Sequence, residues 1–377
     1  MPGADVLHVF KDAYPPTYGG VEQHVWELAR SLSGEFRSTV LTSSRSRRRL
    51  EEEIDGVRLV RAPEYGRLFS TPFTPAWCPV IRGSPATTHL HLPLPMGEAA
   101  ALAGPPGGPV VASYYADVVR NPGATRIYAR LQQRFLARAD RIVVSSDALA
   151  DRSPALARHR DRVVVIPFGV EPADLPAEPQ RVAQIRRSCA GPIVLFLGRL
   201  VHYKGVDVLI DAMRAVDATL LVVGDGPRRR SLEARAAGQR VRFVGTVSNE
   251  DRSAYYVAAD VFVLPAVSRA ETFGIAMLEA MSFGTPAVST EVSTATSWVN
   301  VDGQTGLVVP PRDPVALAAA ITSLLADDGR RKDLGEAAAR RAASHFSKQA
   351  MVSRYAELYR ALRQEGRRSR AAPRSTG

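Results

Sequence analysis

Short apolar runs of β-forming residues alternate with helix-period patterns along the whole of this 377-residue chain. Few folds accept that rhythm; it calls for α/β layers built around parallel sheets. In the first half the strand candidates are Val6–Phe10, Thr39–Thr42, Val57–Val60, Thr87–Leu92, Val110–Tyr114, Ile142–Ser145 and Val163–Ile166. Helical patterns fall there at Val21–Leu32 and Ala124–Ala139. The second half repeats the scheme with strands at Ile193–Leu197, Thr219–Val223, Val241–Val244, Val261–Leu264 and Thr285–Ser289. Helices at Val206–Ala215, Arg228–Ala237, Asn249–Ala258 and Thr272–Ser282 connect them. Between the two series stands Pro167-Phe168-Gly169-Val170-Glu171-Pro172, followed by Pro176 and Pro179. Proline and glycine at that density mark a hinge or linker, and the length suffices for two domains with separate cores.

After Pro310-Pro311 come helical patterns at Pro314–Ala326, Arg330–Ser344 and Gln349–Arg363. The last carries Val352, Tyr355, Leu358, Tyr359 and Leu362 on one side. That stripe follows a complete second domain and needs a surface to bury it; the first domain offers one. The expected division is therefore residues 1–168, residues 169–346, a helix at 347–365 packing back on the first domain, and a disordered tail at 366–377.

No stretch reaches the roughly 20 apolar residues needed to span a bilayer. The first residues lack the basic-then-apolar order of a secretory signal, so the expected location is the cytoplasm. Cys78 and Cys189 have no metal-binding spacing. The net charge of +11 asks for anionic partners. Nucleic acid is excluded for want of any recognisable binding motif, which leaves phosphorylated ligands and an anionic membrane surface, the inner face of the plasma membrane for a cytoplasmic chain. Arg126, Arg130, Arg134 and Arg138 recur every fourth residue beside Ile127, Leu131 and Phe135. Such a helix can lie on a membrane. It can equally bury its apolar side on a sheet and solvate its arginines, and the strand that follows directly favours this second reading.

In open parallel sheets, ligands bind beyond the carboxyl ends of the strands. Four successive strands of the second half end in suggestive loops: Gly198-Arg199 through Lys204-Gly205, Gly224-Asp225-Gly226, Gly245-Thr246-Val247-Ser248, and the loop carrying Glu271. Arginine offers a planar fork to phosphate oxygens, and lysine a compact charge. Glu271 precedes a helix and Glu279 lies about two turns further on. Both can accept hydrogen bonds from hydroxyls. Between them, Phe273-Gly274-Ile275 opens the helix, where exposed amides receive polar or anionic groups. Singly, each residue is as well read as a solvated side chain; their convergence on one face favours a diphosphate site.

The chain has no G-x-x-x-x-G-K-[ST] motif, and Gly224-x-Gly226 lacks a third glycine because Arg229 stands there. The sequence shows no Asp-x-Asp or His/Asp metal cluster, so no metal or other cofactor is expected, and Arg199 and Lys204 are expected to neutralise the diphosphate. In the first half, Gly19-Gly20 between strand and helix could turn backbone amides toward phosphate, or simply form a turn.

These residues closely resemble the retaining nucleotide-sugar glycosyltransferases of family 4, over nearly the whole chain. The likeness is carried by GGVEQHV (Gly19–Val25), LGRLVHYKGVDVLI (Leu197–Ile210), VVGDGP (Val222–Pro227) and the Glu271-x7-Glu279 block. It implies the GT-B fold: two facing Rossmann-like, doubly wound domains with an interdomain cleft, the donor nucleotide held mainly by the second. By resemblance, Glu271 and Phe273-Gly274-Ile275 would hold the donor sugar and Glu279 the ribose. Arg199 and Lys204 would grip the diphosphate, with Gly19, Gly20, Gly198 and Gly224 lining the donor and Val247 bordering the base.

The stretches Ser289–Pro314 and Ser113–Arg120 are similar to a subgroup that often transfers mannose or related hexoses from GDP-activated donors to glycan or lipid-linked acceptors. Tyr115 departs from it, standing where the family commonly has a histidine near the transferred sugar. Tyr115 and Asp117 are the candidate sugar or acceptor contacts. Leaving-group charge would be stabilised electrostatically, and in the family the leaving phosphate is thought to help deprotonate the acceptor. Two alternatives stay open: a nucleotide-sugar epimerase of the same fold, and a non-catalytic donor-binding partner subunit.

Overall fold

The computed structural model describes residues 5–14, 19–68, 71–104, 106–117, 122–172 and 176–371. The chain forms two compact units, one made of Met1–Pro167 together with Gln349–Gly377 and the other of Phe168–Lys348.

The first unit contains β1 (Val6–Val9), β2 (Ser38–Ser44), β3 (Leu50–Ile54), β4 (Val57–Pro63), β5 (Arg67–Leu68), β6 (Thr71–Pro72), β7 (Thr87–Leu92), β8 (Val110–Tyr114), β9 (Arg141–Val144) and β10 (Val163–Val165). Eight of these form one sheet in the order β10-β9-β8-β7-β1-β2-β4-β3, and β5 and β6 make a separate ladder. Every pairing in the large sheet is parallel except β3 with β4.

The sequence gives no alternating pattern for β3, whose LEEEI is exposed as far as the half-buried Ile54. It is held as an edge by a two-residue turn, Asp55-Gly56, with φ of 51° and 74°. Positive φ at both positions is what a type I′ hairpin turn requires. Charge pairing across the hairpin, Glu51 with Arg58 and Glu52 with Arg61, keeps this edge polar.

Both faces of the sheet are covered. On one, Leu7, Val9, Leu41, Leu90 and Leu92 pack with Trp77, Ile81 and Phe135. On the other, Val6, Val111 and Val143 meet Leu28, Leu32 and Phe36 from the helix Gly20–Ser31 and the turn after it, together with Met351, Tyr355, Leu358, Tyr359 and Leu362. Those last five belong to the C-terminal helix, Lys348–Ala371, so the apolar stripe read from the sequence is core of the first unit. The helix runs beyond Gly366, where order was expected to end; residues 372–377 lie outside the described residues.

The second unit has six strands, β11 (Ile193–Leu197), β12 (Thr219–Val223), β13 (Val241–Gly245), β14 (Val261–Leu264), β15 (Ala287–Thr290) and β16 (Gly306–Val309). They run parallel in the order β13-β12-β11-β14-β15-β16. Their core joins Val194, Phe196, Leu220, Val222 and Val263 to Leu209, Ile210, Leu317, Ile321 and Leu324 from flanking helices. Local signals are consistent with this layout. Asp313 caps the helix Pro314–Ala326 by accepting from the Val315 and Ala316 amides, and proline occupies its first position. Among the described residues no helix is long and apolar enough to cross a membrane.

Candidate active site

In the second sheet the order reverses between β11 and β14, which lie side by side although two strands separate them in sequence. A crevice forms beyond the strand ends at such a point, and the sequence candidates gather at it. The turn after β11 carries Gly198, Arg199 and a 3-10 turn His202–Lys204; the loop after β14 carries Glu271. The Lys204 Nζ lies 2.5 Å from Glu271 Oε2, with the two side chains only 13% and 9% exposed. The other oxygen, Oε1, accepts from the Gly274 amide at 3.1 Å. Burial alone would lower the lysine pKa, but the adjacent Glu271, together with Tyr203, outweighs it, and the Lys204 pKa is raised.

Two glycines make this approach possible. Gly205, at φ 67°, follows Lys204 directly, and a Cβ there would lie 1.9 Å from the Pro265 carbonyl oxygen. Gly224, at φ 123°, lets β12's exit turn touch that of β11; a Cβ would lie 2.1 Å from the Gly198 carbonyl. Gly198 covers the lysine tip, since a Cβ built on it would stand 3.7 Å from Lys204 Nζ. Arg199, on the same turn, is exposed, and its guanidinium makes no ion pair or hydrogen bond among the described residues. Val247 lies beyond the end of β13, partly buried, one residue before the Ser248 cap of the helix Asn249–Ala258.

Other candidates have protein partners that the sequence reading did not foresee. Glu279 is held by other partners: its carboxylate accepts from the Tyr256 hydroxyl at 2.6 Å and pairs with Arg252 at 3.2 Å. Both come from the helix Asn249–Ala258. The Phe273 ring is 1% exposed and packs edge-on against Phe168, Trp298 and Phe346. It anchors the loop, leaving only its backbone for a ligand. The amides of Ile275, Ala276 and Met277 precede the first closed helical bond, Leu278 N–H to Gly274 O at 3.0 Å.

In the first unit, Gly19 and Gly20 stand at the start of the helix Gly20–Ser31. The Glu22 carboxylate folds back over them, so that a Cβ on Gly19 would lie 2.2 Å from its Oε2. An acid already sits at this helix start, and a phosphate would have to displace it. Asp117 Oδ1 accepts from the Tyr114 hydroxyl and from Ser153, both at 2.7 Å, which ties down the chain leaving β8. The rest of the sequence stretch that included Asp117, residues 118–120, lies outside the described residues.

Tyr115 reveals what sequence reasoning missed. Its hydroxyl lies 2.6 Å from His91 Nδ1, and His91 Nε2 lies 3.1 Å from His8 Nδ1. His89 completes a buried cluster, held by the Tyr359 hydroxyl at 2.7 Å and the Ser113 hydroxyl at 2.8 Å. One nitrogen from each of His8, His89 and His91 falls within 4.8 Å of the others, a spacing that could hold a metal ion. The sequence reading looked for an Asp-x-Asp or His/Asp set and did not bring these three together. No signal in the sequence joins the three, since His8 and His91 are 83 residues apart. Burial, with His24 nearby, pushes the His8 pKa down to about 3, and burial does the same to His24. His89 and His91 are lowered as well, chiefly by burial. The rings are therefore neutral near pH 7.

Comparison with solved structures identifies the architecture. The chain is similar to a sucrose-phosphate synthase from Thermosynechococcus elongatus, with a TM-score of 0.80 over 96% of this chain and 99% of that one at 24% identity. Two doubly wound, largely parallel-sheet units of this kind are the GT-B fold. Residues 18–174 match the family described as Glycosyltransferase Family 4, and residues 191–327 match Glycosyl transferases group 1. An O-antigen chain mannosyltransferase C of Escherichia coli is 33% identical over 365 residues, 95% of this chain and 98% of that protein. A D-rhamnosyltransferase, WbpZ, of Pseudomonas aeruginosa is 33% identical over 88% of this chain and 89% of its own. The chain belongs to glycosyltransferase family 4, and it is an enzyme of the hexosyltransferase class.

Proposed function

We propose that this enzyme moves an α-linked sugar, mannose or a related hexose, from a nucleoside-diphosphate donor to a glycan or lipid-linked acceptor, with retention of configuration and without a metal. The observation that carries this reading is the Lys204–Glu271 pair at the sheet's reversal point, beside the exposed Arg199. A lysine ammonium has three donors. It can keep Glu271 and still donate to a phosphate oxygen, while Glu271 accepts from a sugar hydroxyl. The pair is neutral overall, so the net attraction for the donor comes from Arg199. Lys204 then acts where charge develops, on the leaving diphosphate. That diphosphate, held beside the anomeric carbon, would take the acceptor proton on the face it leaves.

The mannosyl-transferring relative favours GDP-mannose as first donor to test. Screening against GDP-, UDP- and ADP-sugars reads affinity through thermal stabilisation, which grows as ln(1 + [L]/Kd). Transfer in the presence of a chelator tests metal independence, and the product's anomeric configuration by NMR tests retention. Loss of all transfer with chelator, or an inverted product, would overturn the corresponding part. Running the reaction without acceptor distinguishes an epimerase. Binding without turnover under every condition would instead indicate a partner subunit.

An anionic membrane surface is a further proposed partner. In the helix Pro122–Leu136 and its continuation, Arg126, Arg130, Arg134 and Arg138 are exposed, with Ile127 74% exposed among them. None of these four arginines has an acidic partner among the described residues. Many other arginines among the described residues do pair with acids, as Arg67 does with Asp12 and Glu64. Unpaired positive charge beside an apolar side chain complements anionic lipid.

A further inference from the structure

The first sheet has a reversal point of its own. β1 lies between β2, which follows it in the chain, and β7, which comes much later. Ligands bind beyond the carboxyl ends of the strands at such a point, and β1 runs out there into Phe10, Lys11 and Asp12. The Phe10 ring is 3% exposed and stands edge-on to His91 of β7. Lys11 is half-buried, with its ammonium 5.6 Å from the centre of that ring. The Ser43 hydroxyl of β2 donates to the Lys11 carbonyl at 2.7 Å, which fixes the backbone and leaves the side chain to be accounted for.

The acids on the segments leaving β1 and β4 are engaged elsewhere. Arg67 donates to both oxygens of Asp12, at 3.0 and 2.8 Å, and to both of Glu64, at 2.9 and 2.7 Å. Arg67, with the exposed Arg45 behind it, holds the Glu64 pKa below the usual carboxylate range. Lys11, Arg45 and Arg67 therefore stand against two carboxylates, and this edge keeps an excess of positive charge. Lys11 makes no ion pair among the described residues. The chain has only four lysines, and of the others Lys204 has Glu271 and Lys332 has Glu336 within 4.0 Å. An aromatic face compensates a partly desolvated ammonium only in part.

We propose that Lys11 binds a phosphate group carried by the acceptor, so that among glycan and lipid-linked acceptors the enzyme selects phosphate-bearing ones. The proposal deepens the glycosyl-transfer reading and rests on it. That reading gives the donor diphosphate to Lys204 and Arg199 of the second unit, which leaves the first unit's reversal point to the acceptor. A lone ammonium is a point charge that can meet any oxygen of a phosphate, whereas a carboxylate is matched better by the planar fork of arginine. Phe10 shields one side of the ammonium from water, and Arg45 adds positive potential at the rim. Lys11 acts on affinity and touches no reacting atom.

The scarcity of lysine makes the test direct. Acetylation by an N-hydroxysuccinimide ester, followed by peptide mass spectrometry, reads Lys11 by itself, with the exposed Lys332 as internal control. Methyl phosphate should slow labelling of Lys11 several-fold and leave Lys332 unchanged, whereas methyl α-mannoside should slow neither. Lys11 labelling that methyl phosphate does not slow would overturn the proposal. So would stronger protection of Lys11 by GDP, UDP or ADP at equal concentration, which would put this lysine on the donor. Transfer to mannosyl octyl phosphate is then compared with transfer to octyl α-mannoside. The wild type should favour the phosphate-bearing acceptor. Lys11→Gln should raise the KM for that acceptor about tenfold, one charge-assisted hydrogen bond's worth, with kcat and donor KM little changed, and Lys11→Arg should recover most of the loss. A Lys11→Gln enzyme that keeps the preference refutes the proposal. Should neither acceptor be used, the labelling decides: Lys11 protected by methyl phosphate in a protein that transfers no sugar at all refutes the transfer reading and leaves the phosphate site standing.

Discussion

Replacing Lys204 with methionine tests whether its pairing with Glu271 is structural, catalytic or both. The methionine keeps the length of the side chain and removes the charge. Because both partners are nearly buried, the change leaves Glu271 with only the Gly274 amide to answer its charge. Breaking one side of such a pair costs about 3–5 kcal/mol. For a unit of this size, that lowers its melting temperature by about 6–20 °C. The double variant Lys204→Met/Glu271→Gln removes both charges while the glutamine oxygen still accepts from Gly274. Its stability should return to within about 1 kcal/mol of wild type. Calorimetry measures the stability of all three proteins, and sugar transfer at saturating donor measures kcat. The expected pattern is one unstable single variant, a stable double variant, and loss of transfer in both. A double variant as unstable as the single one would refute the ion-pair argument. A double variant that is stable and fully active would remove the pair from the mechanism.

Other outcomes follow from individual residues. Arg199→Gln should raise the donor KM more than it lowers kcat, because that side chain supplies the net attraction; steady-state kinetics at two salt concentrations checks this, and an unchanged KM contradicts it. Gly205→Ala should destabilise the second unit by more than the ~1–2 kcal/mol of a left-handed residue alone, since its Cβ meets the Pro265 carbonyl; an unchanged melting temperature would be inconsistent with that packing. Glu98, whose pKa burial raises to about 7, contributes stability below pH 4.5 that is lost as pH rises through 7. Glu98→Gln should therefore gain about 1–3 kcal/mol at pH 8 relative to its effect at pH 4, by urea denaturation at the two pH values. Charge reversal at Arg126, Arg130 and Arg134 should abolish sedimentation with vesicles of anionic phospholipid; retained binding would move the membrane surface elsewhere.

Much of the architecture is legible in the sequence because parallel strands buried on both faces must be apolar throughout, as in the IVLFL of β11. Where a strand is exposed the signal disappears, and β3 went unread despite the Asp55-Gly56 turn beside it. The reversal-point loops were readable because glycine and charge cluster at strand ends. Partnership was not readable. Nothing local says that Lys204 meets Glu271, or that Glu279 turns to Arg252 and Tyr256. That the Phe273 ring would pack on Phe168, Trp298 and Phe346 was not readable either, since those neighbours come from distant segments. The histidine cluster needs β1 and β7 to become neighbours, a fact of topology that no spacing in the chain records.

The C-terminal helix makes the second unit an insertion within the first. The polypeptide leaves the first unit at Pro167 and rejoins it at Gln349, bringing Tyr355 and Tyr359 to seal the histidine face. A ribosome must therefore pass Leu362 before the earlier half can close its interior. Residues 168–348 can be expressed as one uninterrupted piece, whereas stopping synthesis at Lys348 would strand an open, water-filled seam where Met351 and Leu362 belong.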